Sequence, residues 1–315
     1  MLSRRHLRVK VMQALYSFFK HEDFEVAKGE RELFKSIDKV YELYISQIAL
    51  MLEIRDVAQK LIDDNKTKML PTKEDLAPNT RFIDNALFVK LEENQHLKYL
   101  IESRKIHWQN EGELVRRIFA GIRSSEEYEK YMALSSSTFE EDQSFLVNLY
   151  CNFVGEDPLL LHHYDEQSIH WIDDYYFVNT MVIKTLKQFT SSTDVGFKML
   201  PLWKDEEDDS NFVKDLYRKT IVNAKKYEKL IEEKLQNWEM DRVAFMDMLL
   251  MQMAICELFN FNSIPVKVTL NEYIELSKEY STEKSKVFIN GILDKLVVDF
   301  RRQNLIVKTG RGLME

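Results

Sequence analysis

The stretch 241–261, DRVAFMDMLLMQMAICELFNF, decides the fold. It reads as a long helix that is apolar on most sides, the pattern of a central core element. Met246, Met248, Met251 and Met253 could also line a plastic binding groove, but core packing is the better reading of four methionines in so apolar a helix. Gln252 and Glu257 interrupt the run, which is also too short to span a bilayer. The stretch lies within residues 202–264, which contain neither Gly nor Pro, and the whole 315-residue chain holds only eight Gly and five Pro. A sheet-rich protein needs turns every ten residues or so, so this is an all-α composition.

Helical spacing extends outward on both sides. Residues 4–20 put Leu7, Val11, Leu15 and Phe18 on one face, and residues 30–64 continue in the same vein. PTKEDLAP (71–78) reads as a loop. Two overlapping capping boxes, Ser137 with Glu140 and Thr138 with Glu141, announce a helix carrying SFLVNLY. A further helix is expected from about Gln167 to Phe189. The acidic run KDEEDDS (204–210) is the clearest composition shift and reads as a solvated join. After the central helix, Thr269 and Glu272 are expected to box one helix start, and Ser281 or Thr282 to cap the next. The tail from Arg301 is cationic and is expected to fray.

Length permits one large core or two ordinary ones. Cys151 and Cys256 lack the pairing of a disulfide framework or zinc site. The first residues lack a charged segment followed by a continuous apolar run, so no secretory signal is expected there, and a cytoplasmic location is expected. No phosphate-binding glycine loop, nucleophile elbow or zinc-protease motif occurs, so the expectation is a non-enzyme. His162, His163 and His170 with Asp165, Asp173 and Asp174 resemble metal ligands loosely. A helical His170–Asp174 pair would share a face, but no third ligand stands at diagnostic spacing, and neither metal nor cofactor is expected. Gly291 sits inside the helical run FINGILDKL, where close helix approach would explain it.

The opening SRRHLRVKVMQALYSFF (3–19) is the oddity. The first twenty residues carry five cations and no acid, leaving −13 on the remainder of a −8 chain. Arg4, Arg5 and Arg8 fall where a helix dipole favours acids. A solvated basic face would accommodate them. Their clustering without acids, and the fit of guanidinium to phosphate, favour a site for RNA or another polyanion.

Three stretches, taken in order, resemble the NusB family of transcription antitermination factors. These are RRHLRVKVMQALYSF near the start, DRVAFMDMLLMQMAICELF in the middle, and IPVKVTLNEYIELSKEYSTEKSKVFINGILDKL at 264–296. The last carries the family pattern at Pro265, Val268, Asn271, Glu272, Ser285, Phe288, Asn290, Gly291, Leu293 and Asp294. The resemblance covers about residues 3–20 and 211–298. It implies an all-α fold of paired helical bundles, divided as a first helix (1–20), a large helical insertion (21–210), the remainder of the domain (211–300) and a basic tail (301–315).

The resemblance also implies a role without catalysis: binding boxA-type RNA together with NusE, a small-subunit ribosomal protein, within an RNA polymerase antitermination complex that supports ribosomal RNA transcription. By position, Arg4, Arg5 and Arg8 would form the RNA arm, with phosphate supplying the missing negative charge. Gln13 and Tyr16 follow on the same helix, and Phe288 and Asn290 complete the surface. Lys284 and Lys286 make the start of the last helix more basic than in the family and would strengthen RNA binding. Asp241 and Asp247 are candidates for the protein partner, although helix capping would explain them too. His6 stands where another basic residue is frequent, which would make the arm weaker or pH-sensitive. Two other readings compete: a protein-only scaffold with a decayed RNA site, and an RNA cytosine methyltransferase, for which the chain lacks strands and a glycine-rich cofactor loop.

Overall fold

The computed structural model describes residues 1–21, 25–235 and 243–313. These form fourteen α-helices and no strand. They divide into two units, one of residues 38–202 with Met1, the other of residues 2–37 and 203–315. Helix α1 (Arg4–Lys20) belongs to the second unit, and α2 (Val26–Lys66) passes from the second unit into the first.

The first unit continues with α3 (Lys73–Leu76), α4 (Ala86–Glu93), α5 (Gln95–Arg104), α6 (Gly112–Arg123), α7 (Glu126–Met132), α8 (Phe139–Leu149), α9 (Pro158–Gln167) and α10 (Tyr175–Gln188). Its core buries Tyr44, Ile48, Met51, Phe82, Phe88, Leu146 and Val182. Most polar groups inside it are paired, as burial requires, Gln47 Nε2 and Asp165 Oδ1 being the exceptions. Asn85 caps α4 and donates to Tyr131 Oη (2.9 Å) and the Asp142 carbonyl (3.0 Å), while Tyr131 donates to Asp142 Oδ1 (2.8 Å). After α8 the chain makes one π-helical turn, Tyr150–Val154, whose Tyr150 hydroxyl bonds to Asn179 Oδ1 (2.8 Å).

The second unit adds α11 (Glu206–Glu232), α12 (Phe245–Asn260), α13 (Val266–Tyr280) and α14 (Ser285–Arg302) to α1. Helix α12 is its centre, with every residue from Leu249 to Leu258 buried, Met251 and Met253 completely. Contacts fix the directions of its neighbours. Tyr16 meets Phe245 and Arg8 meets Glu257, so α1 runs antiparallel to α12. Thr269 meets Glu257 while Ser281, just past α13, meets Asp247, so α13 is antiparallel as well. Ser285 meets Asp247 and Phe300 meets Phe259, so α14 runs parallel to α12.

Several local expectations are corrected. Residues 168–174 form turns, so the expected helix from Gln167 starts at Tyr175 and His170 shares no helical face with Asp174. The loop at 71–78 holds one helical turn, closed by a Thr72–Asp75 capping box. Of the two overlapping boxes before α8, Thr138–Glu141 forms, while the Ser137 hydroxyl instead accepts from Arg81. Helix α13 begins at Val266, which leaves Thr269 inside it with its hydroxyl committed to Glu257. Helix α14 begins at Ser285 with no side-chain cap, because the Ser281 hydroxyl is held by Asp247. The tail is docked as far as it is described: Ile306 packs on the cluster of Leu258, Val266 and Val297, Lys308 donates to the Phe261 carbonyl (3.0 Å), and Thr309 N–H donates to the Asn262 carbonyl (3.0 Å). Gly312 closes this contact, since a Cβ there would overlap the Asn262 carbonyl.

Gly291 is also corrected. It is exposed, and a Cβ built on it meets nothing, so close helix packing does not account for it. Gly291→Ala is expected to stabilise the chain by roughly 0.5–1 kcal/mol, the propensity gain in an exposed helix interior. A thermal melt would show this as a rise of a few degrees. An unchanged or lower midpoint would mean that the glycine is needed by the fold itself.

Candidate nucleic-acid interface

The arginines of α1 find their counter-charges inside the second unit. Arg8 is 2% exposed and Glu257 is fully buried. Arg8 Nε donates to Glu257 Oε2 (2.7 Å) and Nη2 to Oε1 (2.8 Å), a two-bond fork. Glu257 also accepts from Thr269 Oγ1 (2.8 Å) and Tyr273 Oη (3.2 Å), so both carboxylate oxygens are doubly satisfied. The Phe212 and Tyr273 rings lie 5.4 and 6.0 Å from the Arg8 guanidinium. Burial alone would lower the Arg8 pKa, but the Glu257 charge and hydrogen bonds outweigh it and raise the pKa further above its ordinary value.

Arg5 forks onto Glu272 with two 2.9 Å bonds, and Arg8 Nη1 lies 3.6 Å from Glu272 Oε2. Arg4 reaches α11, bonding Asp208 Oδ2 (2.6 Å) and Asp209 Oδ1 (2.9 Å) with its guanidinium over Phe212. Carboxylates of α11, α12 and α13 therefore balance the charge that the dipole of α1 disfavours. For Arg8 this corrects the expectation of an RNA contact: its fork is consumed in the core, and its role is to position α1. Arg4 and Arg5 differ, because their side chains are 30% and 43% exposed and Asp208 is 76% exposed.

Ser3 caps α1 in a capping box closed by His6, whose Nδ1 accepts from Ser3 N–H (3.3 Å). Burial, then the charges of Arg5 and Lys10, lower the His6 pKa to about 4. His6 is accordingly neutral near pH 7, and the expected pH sensitivity of the arm moves to acid pH, where protonation of Nδ1 would break the capping box.

The other candidates lie at the far end of α1. Arg4 and Tyr16 are separated by about 18 Å along the helix. Tyr16 is exposed and meets the Phe245 ring edge-on (5.4 Å), and Lys20 Nζ lies 4.3 Å from the same ring. Two residues on, Asp247 accepts from Ser285 Oγ (2.9 Å) and from Ser281 Oγ, tying the start of α14 to the same turn of α12. Tyr16 and the exposed Lys284 and Lys286 therefore gather around the first turn of α12, apart from Arg4 and Arg5. Gln13 and Phe288 are half-buried, and Asn290 Nδ2 donates to Asp294 Oδ2 (3.1 Å). Asp247 is corrected as a partner residue, because it is buried and fully engaged by Ser281 and Ser285. Asp241 lies outside the described residues. The sequence reading gave no site role to Glu257, Glu272, Phe245 or Ser285, although Glu272 and Ser285 stand in the family pattern. Glu257 left a physical signal as well, as a carboxylate in an apolar helix that needs a buried cation.

Among the described residues, no three His, Cys, Asp or Glu side chains converge as a metal shell. His162 and His163 face single glutamates, Glu166 (3.4 Å) and Glu111 (3.6 Å).

Arg8→Ala is expected to cost about 3–5 kcal/mol in urea unfolding, since it strands the buried Glu257 charge. A loss below about 1 kcal/mol would place the pair outside the core energetics. Glu272 supplies a pH dependence. Burial pushes its carboxyl up, but the Arg5 hydrogen bond and the charges of Arg8 and Arg5 outweigh this and leave it below its ordinary value. A carboxylate whose folded pKa is depressed contributes stability that is present above its unfolded pKa and lost as pH falls through the folded one. Glu272→Gln should therefore flatten the acid limb of the stability–pH curve below about pH 4.5. An acid limb identical to wild type would contradict that assignment.

The NusB family model matches residues 180–297. The transcription antitermination protein NusB of Salinibacter ruber is 40% identical over 111 residues, which are 35% of this chain and 69% of that protein. That of Listeria welshimeri is 38% identical over 92 residues, 29% of this chain and 70% of the relative. That of Chloroherpeton thalassium is 37% identical over 105 residues, 33% of this chain and 50% of the relative. With identity at this level across more than two thirds of a relative, on an all-α bundle, the chain belongs to the NusB family.

Proposed function

We propose that this chain is an RNA-binding transcription antitermination factor, acting without catalysis, that binds boxA-type RNA together with NusE and supports read-through by RNA polymerase, notably in ribosomal RNA transcription. In this reading α1 with α11–α14 carries the NusB-like domain, and the helices between α1 and α11 are an insertion. The observation that carries the proposal is the exposed edge of α1, held on a bundle built around Arg8 and Glu257. Arg4 and Arg5 stand at one end of that edge with half-open guanidiniums. Tyr16, Lys20, Lys284 and Lys286 stand at the other.

The chemistry suits single-stranded RNA. Phosphate replaces the exposed Asp208 as the partner of Arg4, which exchanges one anion for another at small cost. Tyr16 offers a ring face for a base, a contact of about 1–3 kcal/mol. Lysines at the start of α14 serve as point charges for phosphate. No described helix is long and apolar enough to cross a membrane, in keeping with a factor that works on RNA in the cytoplasm. A protein-only scaffold is the second reading. It is favoured by the ion pairs that already occupy the arginines.

The test is titration of a labelled 12-nucleotide boxA-like RNA, with and without NusE, across a salt series. Arg5→Ala with Lys284→Ala and Lys286→Ala is expected to weaken binding and to lower the log–log salt slope by about two. Tighter binding with NusE supports the joint site. Wild-type protein that ignores the RNA at every salt concentration, with NusE present, rejects the proposal in favour of the scaffold.

A further inference from the structure

Between Lys214 and Lys229, α11 carries six cations, Lys214, Arg218, Lys219, Lys225, Lys226 and Lys229, against two acids, Asp215 and Glu228. This is the reverse of the chain's net −8. At 100° per residue, Lys214, Arg218, Lys225 and Lys229 fall within one arc of about 60° beside Val222, and Lys226 lies on the other side of Val222. This face of the helix is turned to solvent: Arg218, Val222, Lys225, Lys226 and Lys229 are all exposed, Val222 at 79%. Arg218 is engaged by Glu30 of α2 (3.0 Å) and Lys219 by Asp215 (2.9 Å). Among the described residues, no carboxylate lies within ion-pair distance of Lys214, Lys225, Lys226 or Lys229. The helix dipole explains Lys229, which sits in the last turn, but its effect does not extend back to Lys225, Lys226 or Lys214.

We propose that this face of α11 is a second RNA track, gripping the phosphate backbone of RNA that continues beyond the segment read by α1 and α14. The proposal rests on the RNA-binding reading above and extends it to a surface that neither the motifs nor the arginine arm includes. The track is about 22 Å long, enough for several successive phosphates. Its composition fits nucleic acid better than a protein partner. Lysine is depleted at protein interfaces, whose cores need aromatic or Arg anchors, and Val222 is the lone apolar side chain among these cations. A strand of phosphates needs no such anchor, and releasing its counterions drives binding.

The experiment compares the full-length chain with a Lys225→Gln, Lys226→Gln, Lys229→Gln variant, whose solvent-facing changes are checked by an unchanged thermal melt. Three probes are titrated: the 12-nucleotide boxA-like RNA, the same RNA extended by eighteen uridines, and oligouridine of thirty residues. Wild type should bind the extended RNA about tenfold tighter than the short one, and the variant should lose that gain together with about two units of salt slope, while its affinity for the short RNA stays unchanged. If the short RNA is ignored but oligouridine binds in a lysine-dependent way, the boxA reading fails and the track stands. If the extension adds nothing, or the variant keeps the full gain, the track is overturned while the arm is untouched. Lysine-dependent capture of poly-L-glutamate, with no gain from the RNA extension, assigns the face to an acidic partner and equally overturns it.

Discussion

The pairing of Arg8 with Glu257 is the constraint on which the second unit depends. An unpaired carboxylate in a buried stretch of helix is among the most costly features a core can contain. Glu257 is tolerable only because α1 delivers a guanidinium and α13 delivers two hydroxyls to the same point. Helix α1, distant in sequence, is thereby registered against the consecutive helices α12 and α13. Arg8 lies 249 residues from its partner, so the pair also brings the chain's start onto helices that follow the long intervening segment.

This registration determines what the rest of α1 presents. With Arg8 turned into the core, Arg5 reaches Glu272 and Arg4 reaches Asp208 and Asp209 at the rim. The opposite end of α1 lies against the first turn of α12, where Asp247 also secures the start of α14. A buried polar lock at each end of α12 thus sets two separate clusters of exposed cations. Neither cluster depends on a ligand to hold its shape. That arrangement favours an interface ready before binding, in which ordering costs are small.

Much of this was legible in the residues. The Gly- and Pro-poor composition, the apolar run at 241–261 and the spacing of Leu7, Val11 and Leu15 lead directly to an all-α bundle with a central α12. Capping was less legible, because a hydroxyl that can cap can also serve elsewhere. Thr269 is drawn to Glu257 and Ser281 to Asp247, and both contacts are tertiary. The arginines were misread for a related reason. The first twenty residues contain no acid, and their counter-ions come from residues 208, 209, 257 and 272, which local charge counting cannot pair with them. The sequence did contain the clue in Glu257: a lone acid inside LLMQMAICELF demands a buried cation, and Arg8 on the apolar border of α1 was available to meet it. Gly291 was misread in the opposite sense, since a helical glycine suggests close packing and this one faces open space.

The claim at the centre of this account is that α1 is held by internal ion pairs and is not an arm that waits for phosphate. Amide hydrogen exchange on the RNA-free chain tests it most directly. The account predicts that the amides from Val9 to Leu15 exchange as slowly as those of α12, through global unfolding, and that adding RNA leaves their protection unchanged. Fast exchange along α1 in the free protein, with protection appearing only when RNA is added, would contradict it.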